Sequence, residues 1–214
     1  MLLWLTLLVL QVAAIILAAG QSRRMGAFKP LLPFGKKTVI EANVDYLRKA
    51  GIERIVAVLG HRSDDVREQL SESSVRFTIN LDPTSEMSAS IAAGIRELPT
   101  SIKATLIALV DHPAIPARVV STLVAEWQSG ARLVVPTWNG RGGHPVLVDL
   151  GFRDQLMSLD PNQGLKALFD THRGEVRRVD VDSPYIARDM DTWDDYRALY
   201  EEVFGGPPSQ PDKR

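Results

Sequence analysis

Cysteine is absent from the 214-residue chain. That excludes disulfides and thiolate metal sites and fits a cytosolic protein. A surplus of basic charge is absent too: 25 Lys and Arg stand against 26 Asp and Glu, a formal net charge of -1. Such a balance asks for neither nucleic acid nor an anionic membrane, so a site for a polyanion has to be a local cluster of Lys and Arg. No G-x-x-x-x-G-K-[ST] string occurs, which removes the P-loop, and no G-x-S-x-G, which removes the nucleophile elbow. No pair of histidines has zinc-ligand spacing.

Charge is also missing from residues 1–20, which are almost wholly apolar. A signal peptide or membrane anchor is one reading of such a run. Against it, no Lys or Arg precedes the apolar stretch. Its end, Ile15-Ile16-Leu17-Ala18-Ala19-Gly20, is also needed as a buried strand and its turn, which cleavage near Ala14 or Ala19 would damage. The reading adopted is a core strand from Ala13 preceded by an apolar leader, residues 1–12, of no assigned role. It is either an extended start or a genuine anchor.

What is present is ordinary for a globular protein: 45% apolar and 24% charged residues, at a length that suits one domain. Short apolar runs alternate with helical periodicity. Ala13–Ala19, Arg54–Leu59, Val75–Ile79 and Ala104–Val110 read as strands. Leu133–Pro136, Pro145–Val148 and Val176–Val181 read as strands too, the first two separated by a loop over residues 138–143. Helices are expected over Thr38–Ala50, with Ile40, Val44 and Leu47 on one face, and from a Ser63 cap to about Leu70. Others are expected over Met87–Leu98, from Pro116 to the stop at Gly130, over Gly164–Thr171 and over Thr192–Val203. Residues 205–214 read as a Pro-rich disordered tail. The alternation implies an α/β fold, a mostly parallel sheet with helices on both faces. Such sheets bind ligands beyond the C-terminal ends of their strands.

Two loops lie there. The first reads Leu17-Ala18-Ala19-Gly20-Gln21-Ser22-Arg23-Arg24-Met25-Gly26, then Lys29-Pro30-Leu31-Leu32-Pro33-Phe34. Its small residues allow a base or phosphate to approach the backbone, and N–H groups in a Gly turn make an anion nest. Arg24 and Lys29 can neutralise triphosphate oxygens, one as a fork and one as a point charge. The second is Ala108-Leu109-Val110-Asp111-His112-Pro113. A carboxylate at a strand end can hold magnesium beside phosphates; the bland alternative is a turn aspartate. The sheet should place both loops at one edge, with Arg24, Lys29 and Asp111 lining one cleft.

The string LAAG-x-S-x-RMG-x-x-K-x-LLPF resembles the signature of the MobA-like nucleotidyltransferases, and within them the molybdenum cofactor cytidylyltransferase branch. The likeness runs over roughly Ala13 to Tyr200. It implies a Rossmann-like, nucleotide-diphospho-sugar transferase-like fold, with Leu17, Ala18, Ala19, Gly20, Ser22, Arg24, Lys29 and Ser88 at the nucleotide. Ala19 and Phe28 stand where the guanylyltransferase branch has a second Gly and an acidic residue, which favours CTP over GTP.

The same resemblance makes Asp111 the metal aspartate. In Arg188-Asp189-Met190-Asp191-Thr192-Trp193-Asp194-Asp195 it makes Asp191 the second Mg2+ ligand, with Asp189 the runner-up. Thr192 and Asp195 also have a purely structural reading, as a helix cap. Glu86-Met87-Ser88-Ala89-Ser90 opens a helix near the base and acceptor, with Ser90 on the acceptor side. Gly140-Arg141-Gly142-Gly143-His144-Pro145 resembles the family's acceptor-facing turn, through Gly143 and His144; His112 is a neighbour only. The implied reaction carries CMP from CTP to a phosphorylated small molecule, molybdopterin cofactor, with a molybdoenzyme or its maturation factor as protein partner. A sugar phosphate acceptor, or a non-catalytic nucleotide-binding accessory, remains the alternative.

Overall fold

The computed structural model describes residues 11–20, 24–80, 82 and 87–208. Most of the apolar leader, residues 1–10, lies outside them, as do Gln21, Ser22, Arg23, Glu86 and the last six residues.

Strand β1 (Val12–Ala18) is buried along its whole length, as a strand covered on both faces must be. It begins one residue before the expected Ala13, and the Gln11 carbonyl already accepts from the Lys103 and Ala104 N–H groups. Pro33–Phe34 and Lys37–Thr38 form a small hairpin, β2 and β3, which begins within the expected first loop and ends at the expected start of the next helix. Helix α1 (Val39–Lys49) is started by a capping box: Thr38 Oγ1 accepts from Glu41 N, and the Thr38 N–H donates to Glu41 at 2.7 Å. β4 (Arg54–Leu59), α2 (Ser63–Gln69), β5 (Val75–Ile79), α3 (Met87–Arg96), β6 (Ala104–Leu109) and α4 (Ala117–Gln128) follow. The rest is β7 (Leu133–Trp138), β8 (Arg141–Gly142), β9 (Val146–Asp149), α5 (Arg153–Met157), α6 (Leu165–Thr171), β10 (Val176–Asp180) and α7 (Trp193–Phe204).

The large sheet has the order β10-β7-β9-β6-β1-β4-β5, with β8 hairpinned onto β7. The pairs among β6, β1, β4 and β5 are parallel, and β9 runs antiparallel to both β6 and β7. This is the mostly parallel α/β architecture that the alternation implies. Alternate residues of β1 feed two cores. Ala14, Ile16 and Ala18 pack with Leu47 of α1, Leu123 of α4 and Tyr196 of α7. Ala13, Ile15 and Leu17 pack with Ile91 of α3, Leu156 of α5 and Leu168 of α6. Gly94 lets α3 sit directly on the sheet, since a Cβ there would lie 2.6 Å from Ile15.

Two local expectations change, and one helix was not expected. Ser63 does not cap α2; it is the first helical residue, after Arg62 in the left-handed region at φ 58 without a side-chain cap. Residues 138–143 are not a plain loop, because Arg141 and Gly142 pair back onto Trp138 and Thr137. Helix α5, of five residues, is too short to show a period. No helix among the described residues is long and apolar enough to cross a membrane.

Candidate active site

The loops leaving β1, β4 and β6 are tied together through their backbones. Gly60, just past β4, lies so near β1 that a Cβ would stand 2.5 Å from the Ala19 carbonyl oxygen. Past β6, the Val110 N–H donates to Leu17 O at 3.2 Å, and the turn closes with His112 N–H on Leu109 O. Asn43 fixes this turn from α1: its amide donates to Val110 O at 2.9 Å and to Val39 O at 3.0 Å. A polar residue on the apolar stripe of α1, between Ile40 and Leu47, is the signal that could have marked Asn43 as a tether.

Lys29 opens a single 3-10 turn with Pro30 and Leu31, and the Leu32 N–H closes it onto Lys29 O at 3.1 Å. Its side chain is 9% exposed, so the ammonium needs partners. Nζ donates to Asp191 Oδ1 at 2.8 Å and lies 3.3 Å from Asp111 Oδ2. Arg24, mostly exposed, donates from Nη1 to Asp191 Oδ2. The expected cluster of Arg24, Lys29 and Asp111 is thus brought together at the C-terminal edge of the sheet, with Asp191 as its fourth member.

The hydrogen bond from Lys29, with the positive charges of Lys29 and Arg24, holds the Asp191 carboxyl below the usual carboxylate range despite partial burial. Met190 is fully buried and Asp189 is exposed, so of the two aspartates it is Asp191 that meets the cluster. Thr192 and Asp195 cap α7: the Thr192 N–H donates to Asp195 at 2.9 Å, and the Asp195 N–H donates to Thr192 Oγ1 at 3.2 Å.

Two imidazoles flank Asp111, with ring centroids 5.8 Å apart. His112 is buried, its Nε2 3.8 Å from Asp111 Oδ1. His144 Nδ1 stands 3.4 Å from the Ile107 carbonyl oxygen. Burial, and then the neighbouring His112, push the His144 imidazole down to about 4, with Ile107 O and Asp111 acting the other way. Gly143 has a packing reason for lacking a side chain: a Cβ would stand 2.2 Å from the Ile186 carbonyl oxygen. Its N–H donates to Pro136 O, and the His144 N–H donates to Ile186 O at 2.8 Å.

Ser88 and Ser90 are buried in the first turn of α3, and Ser90 Oγ accepts from the Asn80 amide at 2.9 Å. Ser22, expected at the nucleotide, and Glu86 lie outside the described residues.

The donor chemistry of the cluster suits a small hard cation. Asp111 and Asp191 each offer carboxylate oxygen, and one ammonium reaches both of them, so the two groups are near enough to share a cation. Magnesium takes few protein carboxylates and fills its shell with water and phosphate. Arg24 and Lys29 supply the positive charge that a polyphosphate needs.

Residues 14–176 match the MobA-like NTP transferase domain. The chain is 28% identical to the nicotine blue oxidoreductase of Paenarthrobacter nicotinovorans over 198 residues, covering 88% of this chain and 96% of that protein. It is 26% identical to the molybdenum cofactor cytidylyltransferase of Escherichia coli over 197 residues, 88% of this chain and 97% of that one. Among solved structures it resembles the manganese complex of Rv0371C from Mycobacterium tuberculosis H37Rv. There the TM-score is 0.78 at 26% identity, covering 90% of this chain and 100% of the other.

Proposed function

The chain belongs to the MobA-like NTP transferase family, and from that premise we propose that it moves CMP from CTP onto a small phosphorylated acceptor, molybdopterin cofactor before others, releasing pyrophosphate. The observation that carries the reading is the meeting of Arg24 and Lys29 with Asp111 and Asp191 at one sheet edge. Two cations and two carboxylates fit a metal-bound triphosphate better than they fit a neutral substrate.

The triphosphate lies over Leu17, Ala18, Ala19 and Gly20, where small residues let it approach the backbone, with Ser88 alongside. Arg24 and Lys29 exchange their carboxylate partners for phosphate oxygens. Asp111 and Asp191 would hold a divalent cation, magnesium in this reading, which would neutralise charge on the phosphates. Ser90, Gly143 and His144 face the acceptor. A terminal phosphate oxygen of the acceptor forms the new bond to the α-phosphorus. The bond from that phosphorus to the oxygen bridging to the β-phosphate breaks, and pyrophosphate leaves with the electron pair. A phosphate monoester is already ionised at neutral pH, so no strong base is needed, and positioning with charge neutralisation supplies the catalysis.

Cytosine is preferred over guanine because the loop resembles the cytidylyltransferase form at Ala19 and Phe28. The Escherichia coli relative named for that activity supports the acceptor. The relative named as an oxidoreductase marks how far activities diverge at this level of identity. The protein acts in the cytoplasm, handing its product to a molybdoenzyme or a maturation factor. The test is pyrophosphate release with Mg2+ and each of CTP and GTP, against molybdopterin cofactor and against sugar phosphates. Turnover with CTP and molybdopterin cofactor is expected. Preference for GTP would reverse the base assignment, and turnover only with a sugar phosphate would replace the acceptor.

A further inference from the structure

Asp191 and Lys29 are separated by 162 positions of chain, so their contact depends on whatever holds the C-terminal segment down. The helix that starts two residues after Asp191 carries Tyr196, Tyr200 and Phe204 at four-residue spacing, which puts them on one face. Tyr196 is fully buried, and its hydroxyl donates to the Pro33 carbonyl at 2.6 Å. The rings of Tyr200 and Phe204 lie 6.1 Å and 4.9 Å from that of Phe34. Gly35, at φ +66, makes room for Phe204, since a Cβ there would stand 2.7 Å from its ring.

The other side of this contact leads straight back to Lys29. Leu32 closes the Lys29 turn, and its own carbonyl accepts from Val39 at the start of α1. The backbone from Lys29 to Phe34 is therefore held on both sides of Leu32, between the turn that carries the ammonium and the carbonyl that Tyr196 grips. On the helical side, the Thr192–Asp195 capping box fixes the entry of the chain into α7 one residue after Asp191. Asp191, the cap, the Tyr196 hydroxyl, the Pro33 carbonyl and Lys29 form one short closed path.

We infer that Tyr196 is a positioning residue. Its hydroxyl registers the C-terminal helix on the Lys29–Phe34 segment and so sets Asp191 against Lys29 and within reach of the cation that Asp111 would share. Its consequence for turnover rests on the proposed function; its consequence for the Lys29–Asp191 contact does not. Tyr196→Phe keeps the ring and its packing and removes only the hydroxyl, leaving the Pro33 carbonyl without that donor.

The test reads Lys29 directly, in the full chain without ligand. An amine-reactive acylating reagent, followed by peptide mass spectrometry, measures how fast Lys29 is modified relative to exposed lysines. In Tyr196→Phe the rate is expected to rise about fivefold, the population change that loss of one net hydrogen bond gives. Phe204→Ala, at a half-exposed position of the same clamp, should move it the same way. Leu199→Val, a buried apolar change on the same helix, serves as the control for general loosening and should leave Lys29 protected at a comparable loss of melting temperature. With Mn2+ and CTP, Tyr196→Phe should raise the metal concentration for half-maximal turnover and lower kcat while the KM for CTP moves little. Unchanged labelling in Tyr196→Phe, or equal labelling in Leu199→Val, overturns the inference. A labelling shift in a protein that turns over no nucleotide upholds the clamp and refutes the proposed function instead.

Discussion

Lys29 and Asp191 lie 162 positions apart in sequence and 2.8 Å apart in space, with Asp111 3.3 Å away from the same ammonium. A lysine that reaches both carboxylates competes with any divalent cation for them. If Asp111 and Asp191 hold the cation, the ammonium opposes metal binding in the free protein, and a bound triphosphate would relieve that opposition by drawing the lysine onto its own oxygens. Lys29→Met should bind Mn2+ more tightly than the parent when no nucleotide is present, roughly tenfold or more, because a like charge has been removed from beside the ion. The same variant should bind CTP more weakly and turn it over more slowly. Electron paramagnetic resonance of Mn2+, with and without CTP, separates the two effects. Weaker Mn2+ binding by the variant alone would show that Lys29 supports the cation site and does not compete with it.

Asp111→Asn keeps shape and removes charge. If Asp111 holds the cation against the reacting phosphate, turnover should fall on the order of a hundredfold, about 3 kcal/mol of barrier, with nucleotide affinity much less affected. Asp191→Asn acts in the same direction. The double variant should lose much less than the sum, since both carboxylates would serve one ion. Single-turnover rates at saturating Mg2+ decide the matter, and normal turnover by Asp111→Asn would return this residue to the role of a turn aspartate.

How much of this was legible in the sequence follows from the range of each interaction. The buried strands and the two loops after them announce themselves locally, through the apolar run at Ala13–Ala19 and the small residues before Arg24 and Lys29. Asp191 could be singled out only because its segment resembles a family motif; nothing near it in sequence says that it meets Lys29. Tyr196 shows the limit more sharply. On a helix with an apolar stripe a tyrosine reads as core, and no local pattern reveals a hydroxyl bonded to a carbonyl 163 positions away. Ser63 failed as a cap for a different reason. Arg62 adopts a left-handed conformation just before it, so the chain enters the helix without the geometry a serine cap requires.

The protonation of His144 bears on stability. Its pKa falls from an ordinary 6.5 to about 4 in the folded protein, chiefly by burial. Above 6.5 the ring is neutral in both states and costs nothing. As pH falls through 6.5 the unfolded chain takes up a proton that the folded chain refuses, so stability is lost until about 4, where the folded form is protonated as well. Up to about 3 kcal/mol of stability is at stake across that window. His144→Gln should flatten the dependence of urea midpoint on pH between these limits. An unchanged slope would mean that another group governs it.

Gly143 decides between two readings of the turn it shares with His144. By resemblance to the family it faces the acceptor; by packing it is glycine because the Ile186 carbonyl leaves 2.2 Å for a Cβ. Backbone oxygen cannot retreat like the end of a flexible side chain, so Gly143→Ala must push the turn away from Pro184–Ala187. It would strain two hydrogen bonds, Gly143 N–H to Pro136 O and His144 N–H to Ile186 O. Overpacking of this kind costs about 1–3 kcal/mol, which for a chain of this size lowers the melting temperature by roughly 2–4 °C per kcal/mol. If packing alone explains the glycine, the variant melts earlier and, below its transition, keeps its KM for the acceptor. If the turn also contacts the acceptor, that KM rises while the KM for CTP stays fixed, because the displaced turn carries His144 with it. A variant with unchanged melting temperature would count against the close contact with Ile186 itself.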